Sequence, residues 1–157
     1  MVARVAAAGA GAGLEFRFDI SKPGNTFDAH RMIHLGGARG IQTQVKDRFL
    51  RGYLSEGCAI GLPEVVAELA IDAGLDADEV AAVLDGDAFA EEVRIDEATA
   101  VSLQITGVPF FVVDRRYAIA GAQSPETMVA VLEQAWAERE PALEVIEGGS
   151  CDSDGCC

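Results

Sequence analysis

Four cysteines are the residues of this sequence with the clearest capacity for covalent chemistry. Cys58 stands alone in a glycine-rich loop, whereas Cys151, Cys156 and Cys157 lie together at the C-terminus. A disulfide between Cys151 and Cys156 is geometrically easy, because Gly155 and the aspartates between them turn readily. Closing so small a loop contributes roughly 2 kcal/mol in the chain-entropy model, and only if the tail is ordered in the native protein. Cys151 and Cys156 are therefore a candidate redox pair or metal-ligand appendage, and the alternative is that they are chemically idle.

The charge around this pair argues against a reactive thiol. Asp152 and Asp154 lie between the two cysteines, and neighbouring negative charge raises the pKa of a thiol, whereas only the thiolate is nucleophilic. For Cys58 we expect the ordinary role of a small apolar residue.

The two histidines, His30 and His34, are spaced i, i+4, a spacing that can chelate zinc from one helix. No glutamate adjoins His30 as in a His-Glu-X-X-His motif, and the sequence places no third ligand. We therefore expect local packing and hydrogen bonding for both rings, with no metal site and no cofactor. The acidic clusters at 76–79 and 85–92 are interpreted as helix caps and solvated faces, not as an acid/base pair.

A proline-led hairpin is the most distinctive structural pattern in the sequence. Residues 110–113 are uninterrupted apolar residues, which is typical of a strand covered on both faces. Pro109 must stand at or just before the first strand position, because proline cannot donate to a sheet ladder. Residues 114–116 form a polar turn and 117–120 return as a second strand. Ser124 then caps a helix, with Pro125 at its tolerant first position and an apolar stripe of Met128, Val131, Leu132, Ala135 and Trp136.

The elements before this hairpin are predicted to be mostly helical. Residues 1–13 indicate the end of a helix, and the alternation of apolar and charged residues at 14–19 predicts a short half-buried strand. Apolar periodicity and caps then predict five helices in one compact layer. They span 27 to about 36, 41–56, 63 to about 73, 77–85 after an Asp76 cap, and a last one capped by Asp87 that runs to about 105.

Composition excludes several classes of protein. The net charge of −14 argues against nucleic-acid partners and anionic membranes, since both need a basic surface. The sequence contains no run of about 18 apolar residues, so we expect no membrane span. The first 13 residues make a poor signal peptide. The cysteine pattern is not that of a secreted disulfide framework, so we expect a cytoplasmic protein.

Six segments follow one another in a distinctive order: NTFDAHR (25–31), RGYLSEG (51–57), IGLPEV (60–65), EATA (97–100), GVPFFV (107–112) and GAQSPE (121–126). Over roughly residues 14–138 this order resembles the DsbA-family oxidoreductases of the FrnE-like subfamily. The resemblance implies a thioredoxin domain interrupted by a helical insertion, in which the bond before Pro109 is cis and faces a redox dithiol. The 2-hydroxychromene-2-carboxylate isomerases are relatives of the same architecture.

The expected fold is therefore α/β, a partial thioredoxin-like fold (C-terminal β-hairpin plus helix) with a large all-helical insertion domain. We divide the chain into a remnant of the thioredoxin-like segment with a short strand (1–24), the helical insertion (25–86), the C-terminal thioredoxin-like half (87–140) and a cysteine-containing tail (141–157).

The sequence departs from the family in one respect that matters for chemistry. It contains no Cys-X-X-Cys, the motif that supplies the attacking thiolate in such proteins. We expect an N-terminally truncated or mis-started member, whose sheet needs neighbouring strands because an isolated hairpin is marginal in water. A natural stand-alone helical module is the alternative.

The resemblance implies a thiol–disulfide oxidoreductase in which Val108 and Pro109 bind the extended backbone of a substrate. The expected partners are protein thiols or disulfides, or a small thiol such as glutathione, and a homodimer is possible. Two alternatives stay open. One is a glutathione-dependent isomerase similar to the 2-hydroxychromene-2-carboxylate enzymes, and the other is a non-enzymatic helical interaction module.

Overall fold

A computed structural model describes residues 2–139 of the chain. Within that range the chain divides into two compact units, the first ending at Leu103 and the second beginning at Gln104. The first unit holds six helices: α1 (Val2–Gly11), α2 (Phe27–Ala38), α3 (Gln42–Leu54), α4 (Pro63–Asp72), α5 (Ala77–Asp85) and α6 (Ala90–Ser102). The second unit holds β1 (Phe110–Val113), β2 (Tyr117–Ala120) and α7 (Pro125–Ala137).

The first unit is organised around α2, which packs against α3, α4, α5 and α6. Four side chains at its centre are almost wholly shielded from solvent: Met32, Val45, Val66 and Val80. Gly36 allows α2 and α3 to approach closely, because a Cβ at this position would lie 2.8 Å from Cγ2 of Val45. The predicted layer of five helices between residues 25 and 105 is confirmed, within three residues at every end.

The start of α6 differs from the prediction. Asp87 does not cap this helix. Instead Phe89 occupies the N-cap position in the left-handed region, with φ of 62°, and the helix begins at Ala90. The Ala90 N–H donates to the Asp87 carbonyl in a tight turn, and the Ala88 carbonyl accepts from the Arg31 side chain. Since α6 packs on α2, it lies in the first unit, whereas the sequence-based division placed residues 87–140 together.

The predicted strand at residues 14–19 is wrong. The Arg17 N–H donates to the Leu54 carbonyl at the end of α3, and the Ile20 N–H turns back to the Arg17 carbonyl. Phe16 packs against Gly9 of α1 and meets the Phe18 ring edge-on. Within residues 2–139 no strand lies beside this segment, and Phe16 contacts α1 instead of a sheet.

The hairpin of the second unit has the predicted bounds. Its two antiparallel strands pair with Phe110 opposite Ala120 and Val113 opposite Tyr117. Asp114 and Arg115 make the turn with positive φ of 52° and 54°. The Ser124 hydroxyl accepts from the Thr127 N–H, which confirms the predicted cap of α7.

The expectation that β1 is covered on both faces is wrong for the described part of this unit. Phe111 and Val112 remain 41% and 43% exposed, because the sheet has two strands and α7 contacts β2. The apolar stripe of α7 is also only partly covered. Ala135 is buried, whereas Trp136 is 68% exposed.

Candidate functional site

The Val108–Pro109 loop leads directly into β1 and is exposed to solvent. Val108 is 89% exposed, and the Val108–Pro109 peptide bond is cis. The Pro109 carbonyl accepts a hydrogen bond of 2.8 Å from the N–H of Gly121, which directly follows β2 at the open end of the hairpin. The hairpin therefore fixes the proline, while the residue before it projects into solvent.

The backbone beside this proline is available for pairing with another extended chain. Among the described residues, neither the N–H nor the C=O of Val108 has a hydrogen-bond partner. The Gly121–Pro109 bond also sets the alternation along β1, so the peptide groups of Phe111 face β2 while those of Phe110 and Val112 face away. The outer edge of β1 is thus a row of free donors and acceptors, the feature that recruits an added strand.

This loop exposes backbone hydrogen-bonding groups but no side chain that could react with a disulfide. Cys58 is the one cysteine among residues 2–139, and it lies in the first unit. It packs half-buried against the helical core, with its Sγ 3.9 Å from Oε2 of Glu56, which agrees with the role of a small apolar residue. The predicted pair Cys151 and Cys156 falls outside the described residues.

A polar cluster at the end of the hairpin was not anticipated from the sequence. The Tyr117 hydroxyl donates to the Glu138 carboxylate, and the Arg116 guanidinium lies 3.2 Å from the same carboxylate. The hydrogen bond from Tyr117 is the main cause that lowers the pKa of Glu138, and the same bond raises the pKa of Tyr117. This cluster ties β2 to the end of α7. No local signal could reveal it, because the residues stand 21 positions apart.

The two histidines do not form a metal site within the described range. The His34 ring stacks on Phe89, and its Nε2 lies 2.9 Å from Oδ2 of Asp96, so packing and hydrogen bonding hold it, as predicted. The hydrogen bonding predicted for His30 is not found among the described residues; this side chain lines the groove between α2 and α3 and also a second pocket with Asp96 and Glu97. Among residues 2–139 no three His, Cys, Asp or Glu side chains are arranged to hold a metal ion. In the same range no helix has the length and apolar character needed to cross a bilayer.

Comparison with known proteins gives a matching family model and a similar solved structure that agree. A family model described as a DSBA-like thioredoxin domain matches residues 1–133. The crystal structure of a probable DsbA oxidoreductase from Streptomyces coelicolor is similar to this chain, with 44% sequence identity and a TM-score of 0.83. The similarity covers 98% of this chain and 66% of that chain, so this chain spans just under two thirds of the solved protein. No match was found among curated proteins.

Proposed function

The chain belongs to the family of DsbA-like thioredoxin domains, and from that premise we propose that it provides the polypeptide-binding part of a thiol–disulfide oxidoreductase. The observation that carries this proposal is the exposed Val108–Pro109 loop, whose free backbone groups continue into the open edge of β1. An extended substrate segment pairs with the Val108 amide and carbonyl, and its direction is then set by the strand that follows.

The reaction itself needs a thiolate held beside that substrate. The thiolate attacks one sulfur of a disulfide, a mixed disulfide forms, and the second sulfur leaves as a thiolate that takes up a proton. These 157 residues contain no Cys-X-X-Cys. We propose that polypeptide outside them supplies the dithiol, which is consistent with the greater length of the Streptomyces coelicolor protein.

The binding half of this proposal is tested with the chain as it stands. A reduced, carboxymethylated polypeptide that cannot fold is titrated into the ¹⁵N-labelled protein. We expect amide shifts at Val108, Phe110 and Val112, since these groups lie along the open edge. Val108→Pro removes the amide donor and should weaken binding about fivefold, the value of one hydrogen bond of about 1 kcal/mol. Val108→Ala keeps the amide and is the matched control.

The outcome that overturns the binding proposal is an unshifted loop, or a Val108→Pro variant that binds as tightly as Val108→Ala. Glutathione is titrated in parallel. If glutathione shifts the loop amides and the polypeptide does not, the loop binds a small thiol, and the glutathione-dependent isomerase becomes the favoured function.

The missing dithiol is tested by insulin reduction with dithiothreitol. We expect no acceleration by this chain, because the thiolate has to come from elsewhere. A rate above that of a Cys151→Ser, Cys156→Ser double variant would make the tail pair catalytic and refute the assignment of the dithiol to other polypeptide.

A further inference from the structure

A groove between α2 and α3, here called the α2–α3 groove, lies entirely within the first unit. It has a volume of about 510 Å³. That falls in the range of about 300–1,000 Å³ typical of small-molecule sites, which are mostly apolar with a few polar groups. Its walls combine apolar side chains with four polar ones, which belong to Thr26, His30, Lys46 and Tyr53.

The helical spacing of the lining residues gives the groove two polar ends. Lys46, Leu50 and Tyr53 recur at the spacing of one face of α3, with Lys46 seven residues before Tyr53. This separation corresponds to about 10 Å along the helix axis. Most of the remaining side chains that line the groove are apolar, including Ile33 of α2.

The charge of the groove is unusual for this protein. The chain is strongly acidic, yet among the described residues 2–139 no aspartate or glutamate lines the groove. Within residues 2–139 the Lys46 ammonium makes no ion pair, whereas Arg31, Arg39 and Arg48 of the same unit each pair with a carboxylate. The His30 ring likewise has no hydrogen-bond partner there. The groove thus presents an unneutralised cation at one end of an apolar channel.

We propose that the α2–α3 groove binds an amphipathic organic anion, namely a medium-chain aliphatic carboxylate. The carboxylate pairs with Lys46, and the alkyl chain lies against Ile33, Phe49 and Leu50 toward Tyr53. Burial of that chain supplies most of the affinity, because each methylene removed from water contributes about 0.8 kcal/mol. Lys46 supplies the preference for an anion. All residues that line the groove belong to the first unit.

The test compares three probes that share one alkyl chain: decanoate, decanol and decyltrimethylammonium. They are titrated below their aggregation concentrations into the ¹⁵N-labelled full chain. We expect decanoate to bind most tightly and to shift amides of α2 and α3. Lys46→Gln should weaken decanoate about fivefold, the upper value for a solvent-exposed ion pair, and leave decanol unchanged. Lys46→Arg should restore most of the decanoate affinity.

The matched control is Lys22→Gln, which makes the same change in net charge at the only other lysine, a residue outside the groove lining. Equal weakening by Lys22→Gln and Lys46→Gln would reduce the effect to overall charge and refute the assignment. Three other results also overturn it. These are equal affinity for decanoate and decanol, absence of binding, and shifts confined to the second unit. If the protein is a dimer and decanoate does not shift the amides of α2 and α3, the groove is an interface with a second copy of the chain and not a site for the anion. Circular dichroism verifies that each variant is folded.

Discussion

Arg31 is the buried charge of the described structure, and its removal is the sharpest test of how the helical unit is held together. Arg31 is only 5% exposed to solvent. Nε donates to the Ala88 carbonyl at 2.9 Å, and Nη2 donates to the carbonyls of Val83 and Gly86. Nη1 completes the set by pairing with the Asp28 carboxylate at 2.9 Å. One side chain of α2 therefore binds the end of α5 and the turn that leads to α6.

The expected loss of stability follows from these contacts. Val83 lies in the last turn of α5, where helix carbonyls lack partners within the helix. Arg31→Met keeps the aliphatic stem but leaves three carbonyls without their donor. A buried carbonyl left unsatisfied costs about 1–3 kcal/mol, and this applies to Val83, whereas the part-buried carbonyls of Gly86 and Ala88 can bind water instead, so the free energy of unfolding should fall by about 2 kcal/mol. Arg31→Lys should recover only part of this, because an ammonium lacks the planar fork that reaches several carbonyls.

The assay is urea unfolding followed by far-ultraviolet circular dichroism, with linear extrapolation to water. Arg39→Met is the matched control, since Arg39 also joins α2 to α5 but does so through an exposed pair with Glu79. The free energy of unfolding should fall much less in this variant, because water and salt screen an exposed pair. Hydrogen exchange should show faster opening around Ala90 in the Arg31 variant. Equal losses for the two variants, or exchange that rises uniformly through the unit, would refute the reasoning.

Three further predictions concern local contacts. Gly36→Ala should destabilise the first unit by about 1–2 kcal/mol in urea unfolding, because the new Cβ would lie 2.8 Å from a Val45 methyl group. Gly37→Ala is the control: its Cβ would meet only the flexible Gln42 side chain, so this variant should be more stable by up to about 1 kcal/mol. Asp76→Ala should cost about 1 kcal/mol in the same assay, since its carboxylate accepts two backbone N–H groups at the start of α5. Glu138 has a lowered pKa, so its contribution to stability is present above its ordinary value near 4.5 and is lost as pH falls through the lowered value. Tyr117→Phe removes the hydrogen bond that is the main cause of the lowered Glu138 pKa, so an NMR titration of this variant should show a higher Glu138 pKa than in the unmodified chain. An unchanged titration would contradict this assignment.

Local chemistry explains which elements could be predicted from the sequence. The bounds of the hairpin follow from Pro109 and the polar turn, and the starts of α5 and α7 follow from the caps Asp76 and Ser124. The start of α6 could not be predicted in this way. Its turn is fixed by Arg31, which stands 57 residues before Ala88 and gives no signal in the local sequence.

The candidate loop was predicted in position but not in its surroundings. Val108 and Pro109 are recognisable from their place before an apolar run. The prediction of a strand covered on both faces failed because the apolar run of β1 indicates only that the strand suits burial. Whether neighbouring strands are present to cover it is a property of distant segments. The exposed faces of Phe111 and Val112 show that the described residues do not cover this strand fully.

The α2–α3 groove shows why net charge alone predicts ligands poorly. A charge of −14 suggests that anions are repelled, and in the sequence Asp47 directly follows Lys46 as if to neutralise it. Consecutive residues of a helix point in different directions, however. Asp47 lines a separate pocket with Leu14 and Phe16, while Lys46 lines the groove. The repulsion from distant carboxylates is screened beyond a Debye length of about 10 Å at 0.1 M salt, whereas Lys46 would meet a bound carboxylate directly. Helical periodicity, and not composition, therefore decides the charge that a ligand encounters in this groove.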